Sequence, residues 1–288
     1  MPIRIEKNLS NTDYHKSGEI SKSKLDLIHK SIANYLMGFK KPTLALTTGQ
    51  AFHTAWLERE CFEKEFYVQE SIGLKKDFVA EYLDTNKGCK KKDADSAWEE
   101  KKKEQELENA EHEGKTILTA AQYLTIQRMI DSLVKYPRSK SLFQEGEPEV
   151  SLFWDELDIP CKARPDWVVN KGEILVDIKT TMDASPEGFA RSVLKYRYHV
   201  QAAWYIKAAT VCYGVKPDDF IFLAVENHPP FNVAAYHLGQ DSLDEGWMLA
   251  TQDLRKYKAW ESDPESACTG YTDEIVQINI PSYGFTQF

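Results

Sequence analysis

The chain has no apolar run near the roughly 20 residues a membrane-spanning helix needs, and no basic-plus-apolar stretch of the signal-peptide kind opens it. Its five cysteines, Cys61, Cys89, Cys161, Cys212 and Cys268, are scattered, with no CxxC pair. That spacing argues against structural zinc and an iron–sulfur cluster, and an odd, dispersed set does not make a disulfide framework. Unlinked structural thiols in a reducing compartment are expected. Positive charge is also short: 36 Lys and Arg stand against 45 Asp and Glu, a net charge of −9. This weighs against general capture of nucleic acid. It leaves room for a site in which carboxylates hold cations and the cations reverse the local sign toward phosphate. The expectation is a soluble, intracellular protein.

What is present is enough for a proper core: 288 residues, 42% of them apolar, in one large or two small domains. Residues 1–20 are polar and read as extended. Ser21 is placed to cap a helix carrying Leu25, Leu27, Ile28, Ile32, Tyr35 and Leu36 that ends near Gly38. A second helix is expected from about Thr47 to Glu60. From about 75 to 115 the lysine runs 90–92 and 101–103 alternate with acids, which reads as a solvated helix or loop laced with i,i+4 pairs, inserted into one domain spanning 1–288. Thr119 and Gln122 form a capping-box pattern before a helical stripe to Tyr136–Pro137.

Beyond Pro137 the apolar period changes to two. Strands are expected over Val150–Trp154, Cys161–Val169 and Glu173–Lys179. A helix follows from about Pro186 to Tyr213, with a break near Tyr196–Tyr198. Strands at Phe220–Glu226 and Asn232–Leu238, a helix at about Ser242–Trp260 and a short strand near Ile275–Ile280 complete a mixed α/β (α+β) fold. The tail from Ser266 to Phe288 is expected to pack on the core.

The chemistry concentrates in Arg164-Pro165-Asp166-Trp167 and Val176-Asp177-Ile178-Lys179. If Lys171–Gly172 is the turn of a hairpin, Asp166 lies directly opposite Asp177, and Lys179 projects from the same face as Asp177. Facing carboxylates repel unless a cation lies between them or one stays protonated. Their hard oxygens suit Mg²⁺ or Mn²⁺, and Lys179 is placed to orient or deprotonate a water beside a scissile phosphate, or to stabilise developing charge. The competing reading is a salt-bridged hairpin in which Lys179 and Arg164 neutralise the acids. Gln201 and Tyr205 share a helix face at i,i+4, with Tyr198 extending the stripe. His53 lies on a helix with a core stripe; imidazole can complete an oxygen-rich metal site. Glu149 reads as a strand-edge charge, with an acidic ligand ahead of the hairpin as the alternative.

Taken in order, Gly49–His53, the Arg164-Pro165-Asp166 strand, Asp177-Ile178-Lys179-Thr180-Thr181 and the Tyr196-Arg197-Tyr198-His199-Val200-Gln201…Tyr205 helix resemble the RecE (exonuclease VIII) type of phage exodeoxyribonuclease. That group is RecB-like, within the PD-(D/E)XK nuclease superfamily. The resemblance runs from about Asp13 to Leu238. It implies a PD-(D/E)XK core with a mixed central β-sheet flanked by helices. It also implies a 5′→3′ exonuclease on double-stranded DNA ends that leaves 3′ single strands for recombination by annealing. Mg²⁺ or Mn²⁺ would be the cofactor, a homotetrameric ring the assembly, and a RecT-type annealing protein the partner, in the cytoplasm of a bacterium or phage-infected cell. Carried over by position, His53, Asp166, Asp177 and the Ile178 carbonyl would be metal ligands. Lys179 would be catalytic, with Gln201 and Tyr205 supporting the active site. Lys22, Lys24 and Arg164 are candidate DNA contacts on charge alone. Two alternatives stand beside this: a RecB-like endonuclease or repair nuclease, and an inactive DNA-binding scaffold of the same fold.

Overall fold

The computed structural model describes residues 3–38, 43–265, 267, 269–272 and 274–279. Residues 3–20 are more ordered than their polarity suggests. β1 (Arg4–Glu6) joins a sheet, and α1 (Asn11–Lys16) is capped by Ser10, whose hydroxyl accepts the Asp13 N–H. Ser21 caps α2 (Lys22–Lys30) as expected. Ser31 then accepts the Asn34 N–H and starts a separate α3 (Ile32–Met37), so one predicted helix becomes two. A serine that offers its hydroxyl to the following turn competes with helix continuation. α4 (Leu44–Leu57), capped by Thr43, leads into α5 (Arg59–Glu65) and β2 (Phe66–Gln69).

The charged stretch folds as two helices packed on each other, α6 (Lys75–Thr85) and α7 (Lys91–Glu111). Phe78 meets Trp98 with centroids 5.3 Å apart, Lys75 reaches Asp95 and Glu99 at 3.4 and 3.1 Å, and Lys102 and Glu106 make an i,i+4 pair. β3 (Thr116–Thr119) returns parallel to β2, so the excursion begins and ends at one place. The capping box of Thr119 and Gln122 forms and starts α8 (Ala120–Lys135); α9 (Ser139–Phe143) follows.

The remaining chain builds the two larger sheets. It runs β4 (Glu147–Pro148), β5 (Ser151–Glu156), β6 (Ile159–Ala163), β7 (Trp167–Val169), β8 (Ile174–Thr181), α10 (Pro186–Lys195), α11 (Tyr198–Tyr213), β9 (Asp219–Glu226), β10 (Val233–Tyr236) and α12 (Gln240–Ser262). The predicted strand over Cys161–Val169 is broken. β6 belongs to the sheet β1-β5-β6 and β7 to the sheet β10-β9-β8-β7-β4. Pro165 lacks the N–H a ladder needs, and the chain changes sheets there. β8 and β9 are parallel, joined by α10 and α11 as the crossover; β7 and β10 pair antiparallel at their flanks.

Both faces of the five-stranded sheet are covered. Val176 and Ile178 pack with Phe52, Ile126 and Met129 under α4 and α8, while Leu175, Phe220 and Phe222 pack with Trp204 and Trp154 on the other side. This is why β8 is apolar at Ile174, Leu175, Val176 and Ile178, its polar residues being Asp177, Lys179 and the closing Thr180 and Thr181. A Cβ at Gly49 would stand 3.2 Å from Thr180 Oγ1, so the glycine lets α4 cross the end of β8 closely.

The tail differs from expectation. Among the described residues 274–279 there is no strand, and Tyr271, Ile275, Val276 and Ile278 are exposed rather than packed on the core. A strand needs a neighbouring edge to take its hydrogen bonds, and none meets these residues among those described. Ile280, Tyr283, Phe285, Phe288 and Cys268 lie outside the described residues. The other four cysteines are unpaired thiols, and no helix is long and apolar enough to cross a membrane among the described residues.

Candidate active site

The hairpin register is the expected one. Trp167 pairs with Val176, Val168 with Leu175 and Val169 with Ile174, which puts Asp166, one residue ahead of β7, opposite Asp177. The connection is wider than two residues: Asn170, Lys171 and Gly172 all take positive φ, with Gly172 at +97°. Because β7 begins at Trp167, the Ile178 N–H meets no strand there, and Asp166 Oδ2 accepts it at 2.6 Å. Ile178 thus meets the site through its backbone N–H.

α4 delivers His53 to the same carboxylate, with Nδ1 3.3 Å from Asp166 Oδ2. A third group is Glu149, the acid whose place the sequence leaves open. Glu149 sits between the two sheets with φ +49°, a left-handed conformation unusual for a side-chain-bearing residue, and its N–H donates to the Asp166 carbonyl at 3.1 Å. One donor atom each from His53, Glu149 and Asp166 lie within 4.8 Å of one another. Glu149 is therefore no strand-edge charge. Its role rests on a backbone twist and two distant partners, which no local pattern announces.

Asp177 stands beside this trio, outside the 4.8 Å cluster. Lys179 Nζ lies 2.5 Å from its Oδ1, and Gln201 Nε2 donates to its Oδ2 at 2.7 Å. The Lys179 half of the competing salt-bridged reading is thus present at Asp177, next to a separate donor cluster, while Arg164 pairs with neither aspartate. Gln201 and Tyr205 share the inward face of α11, and the Tyr198 ring lies 4.7 Å from Lys179 Nζ.

Charge is crowded here. Burial, and then Asp166, push the Asp177 carboxyl up from 3.8 to about 6. Burial and Asp166 also hold Glu149 well above its ordinary value. Burial would raise Asp166 too, but His53, Lys179 and the Ile178 N–H together outweigh it and the net shift is downward. For His53 and Lys179 burial favours the neutral form; the carboxylates outweigh it and raise both. A buried and a half-buried carboxyl, Asp177 and Glu149, thus both hold their protons above the ordinary range, the crowding of hard oxygens that a divalent cation relieves. His53, Glu149 and Asp166 fit a divalent metal by donor chemistry and proximity.

Two adjoining clefts of about 660 and 610 Å³ meet at Glu149, Lys179 and Tyr198. The first carries Lys22, Lys24, Lys162 and Arg164. These cations already have protein partners. Lys22 bonds the Tyr196 carbonyl and Asp26, each at 2.7 Å, and Lys24 bonds the Gly18 carbonyl at 2.6 Å. Arg164 is buried, bonding Ser151, Asn11 and the Leu9 carbonyl, with its guanidinium 3.9 Å from the Tyr14 ring centroid. Arg164 pins the polypeptide around Glu149 (4.0 Å away) more than it offers donors to a ligand.

A parallel β8–β9 pair with helical crossover, an antiparallel β7, and Asp166, Asp177 and Lys179 at the hairpin define a PD-(D/E)XK core. The chain belongs to the family described as the PDDEXK-like domain of unknown function (DUF3799), whose model matches residues 21–271. The fold is also similar to that of a candidate exonuclease from Eubacterium rectale: TM-score 0.51, 13% identity, covering 97% of this chain and 100% of that one. A second solved structure, SSO0001, aligns at TM-score 0.29 with 14% identity over 80% of this chain and 84% of its own. No curated protein sequence matches the chain.

Proposed function

We infer that this protein is a divalent-metal-dependent DNA nuclease, specifically a 5′→3′ exonuclease of the RecE type acting on double-stranded ends and leaving 3′ single strands. The observation that carries the nuclease reading is the convergence of His53, Glu149 and Asp166 beside the Asp177–Lys179 pair where two clefts meet. Bound there, Mg²⁺ or Mn²⁺ supplies Lewis-acid polarisation of phosphate and acidifies a water. Lys179, held protonated by the acids around it, stabilises developing negative charge and orients the water rather than deprotonating it. Asp177 and the Tyr198 ring hold the ammonium in place; Gln201 holds Asp177.

The exonuclease part of the reading is supported by resemblance and by charge. Capture of internal DNA relies on surplus Lys and Arg, and a chain at −9 has its cleft cations already engaged. Digestion of one plasmid with Mg²⁺, before and after linearisation, is the test. Loss of the linear form alone supports an end-loading exonuclease. Equal loss of both transfers the site to an endonuclease, and loss of neither leaves a scaffold. A homotetrameric ring and a RecT-type annealing partner belong to the same reading. Light scattering at four times the 33.1 kDa chain mass would support the ring, and a monomer would remove it.

A further inference from the structure

On an unbroken helix, residues i and i+2 point about 200° apart. Tyr196 and Tyr198 do the opposite: their rings stack, centroids 5.5 Å apart and planes 29° apart. The cause is Arg197, which separates α10 from α11 in a left-handed conformation, φ +55° and ψ +43°. Such backbone persists where the surroundings over-determine it. Here Arg197 Nη1 meets Asp26 at 3.0 Å and Nη2 meets the buried Asp253 at 2.5 Å, from α2 and α12 respectively. Two helices thus hold a strained turn whose visible consequence is a pair of stacked rings.

The pair lines the cleft that also holds Lys179. Tyr198 is backed by Phe222 and Phe189, at 5.6 and 6.0 Å, and touches the Lys179 ammonium. Tyr196 is 48% exposed, so packing the core does not explain it. Lys195 Nζ lies 5.1 Å from its centroid. An exposed aromatic face on a rigid support, with a cation beside it and a nuclease centre next to it, suits a flat π-faced group joined to an anion. A nucleobase with its phosphate is such a group. Inside a duplex both faces of a base are taken by its neighbours; only the outer face of a terminal pair is open, and a base flanking an internal phosphate can stack on Tyr196 only once it is unpaired.

We propose that Tyr196, backed by Tyr198, is a stacking platform for an unpaired nucleobase next to the scissile phosphate, so that the substrate end enters the cleft single-stranded. The proposal rests on the nuclease reading and names the form of DNA that reaches its centre. It is tested by binding single-stranded oligonucleotides that carry 2-aminopurine near one end or the other, in EDTA so that nothing turns over. Wild type and Tyr196→Phe are expected to quench one of the two probes. Tyr196→Leu, at an exposed position that does not threaten folding, is expected to lose the quench and bind about 10-fold more weakly. With Mg²⁺, the same variant should raise KM for blunt duplex more than it lowers kcat. Unchanged quenching and affinity in Tyr196→Leu, or no quenching by wild type, overturns the platform even if wild type digests DNA. Quenching that depends on Tyr196 without any digestion upholds the platform and removes the nuclease reading.

Discussion

Asp177 is 1% exposed, and burial and Asp166 raise its pKa from 3.8 to about 6. In metal-free protein this has a definite sign. The folded chain holds the proton more tightly than the unfolded chain. The stabilising contribution is therefore complete below about pH 3.8 and is lost as pH rises through about 6. The displacement corresponds to about 3 kcal/mol, of the order of a quarter of the stability of an ordinary domain. Asp177→Asn removes the titrating group while keeping an acceptor for Gln201. It also takes from Lys179 the carboxylate that does most to offset the burial of its ammonium, so absolute stabilities of the two proteins are not compared. The slope against pH is thus the clean quantity. Urea unfolding in EDTA from pH 4.5 to 8 should show wild-type stability falling by a few kcal/mol. The Asp177→Asn curve should fall distinctly less, its remaining slope coming from Glu149 and His53, both raised. Parallel curves would refute the electrostatic account of the site. Added Mn²⁺ should flatten the wild-type curve by offsetting the carboxylate repulsion.

Lys179→Ala should fold normally and bind metal while turnover falls by about 100-fold or more; near-full activity in a plasmid digest would reduce Lys179 to a salt-bridge residue. Glu149→Gln should weaken Mn²⁺ binding by at least the roughly 10-fold that loss of even an outer partner costs, and calorimetry showing wild-type affinity would remove Glu149 from the ligand set. Arg197→Ala takes the guanidinium from the buried Asp253, leaving it His29 Nδ1 at 3.1 Å, and should destabilise by about 3 kcal/mol, read by chemical denaturation; a change within experimental scatter would show that the turn between α10 and α11 is held by something other than these carboxylates.

Much of the architecture was legible because its signals are local. Period-two alternation and the sum rule across Lys171–Gly172 set the register that faces Asp166 with Asp177. The capping box of Thr119 and Gln122 lies within a few residues of its cause. Expectations failed where a local pattern fitted two outcomes. The apolar run through Pro165 reads as one strand, yet it feeds two sheets, because alternation says nothing about which edge a strand will join. The stripe from Leu25 to Leu36 reads as one helix, and the Ser31 hydroxyl divides it. The Ile275–Ile278 segment alternates like a strand and finds no edge among the described residues.

The sequence alone determined the chemistry available to this protein: two acids and a lysine on one hairpin face, which covalent order and side-chain alternation suffice to align. Tertiary structure decided which donors assemble. His53 arrives from a helix more than a hundred residues upstream. Glu149 arrives through a left-handed backbone residue between two sheets, and the Tyr196–Tyr198 stack through a turn clamped by carboxylates from two other helices. Each depends on long-range burial and ion pairing, whose strength is set by distances that exist only once the core has closed.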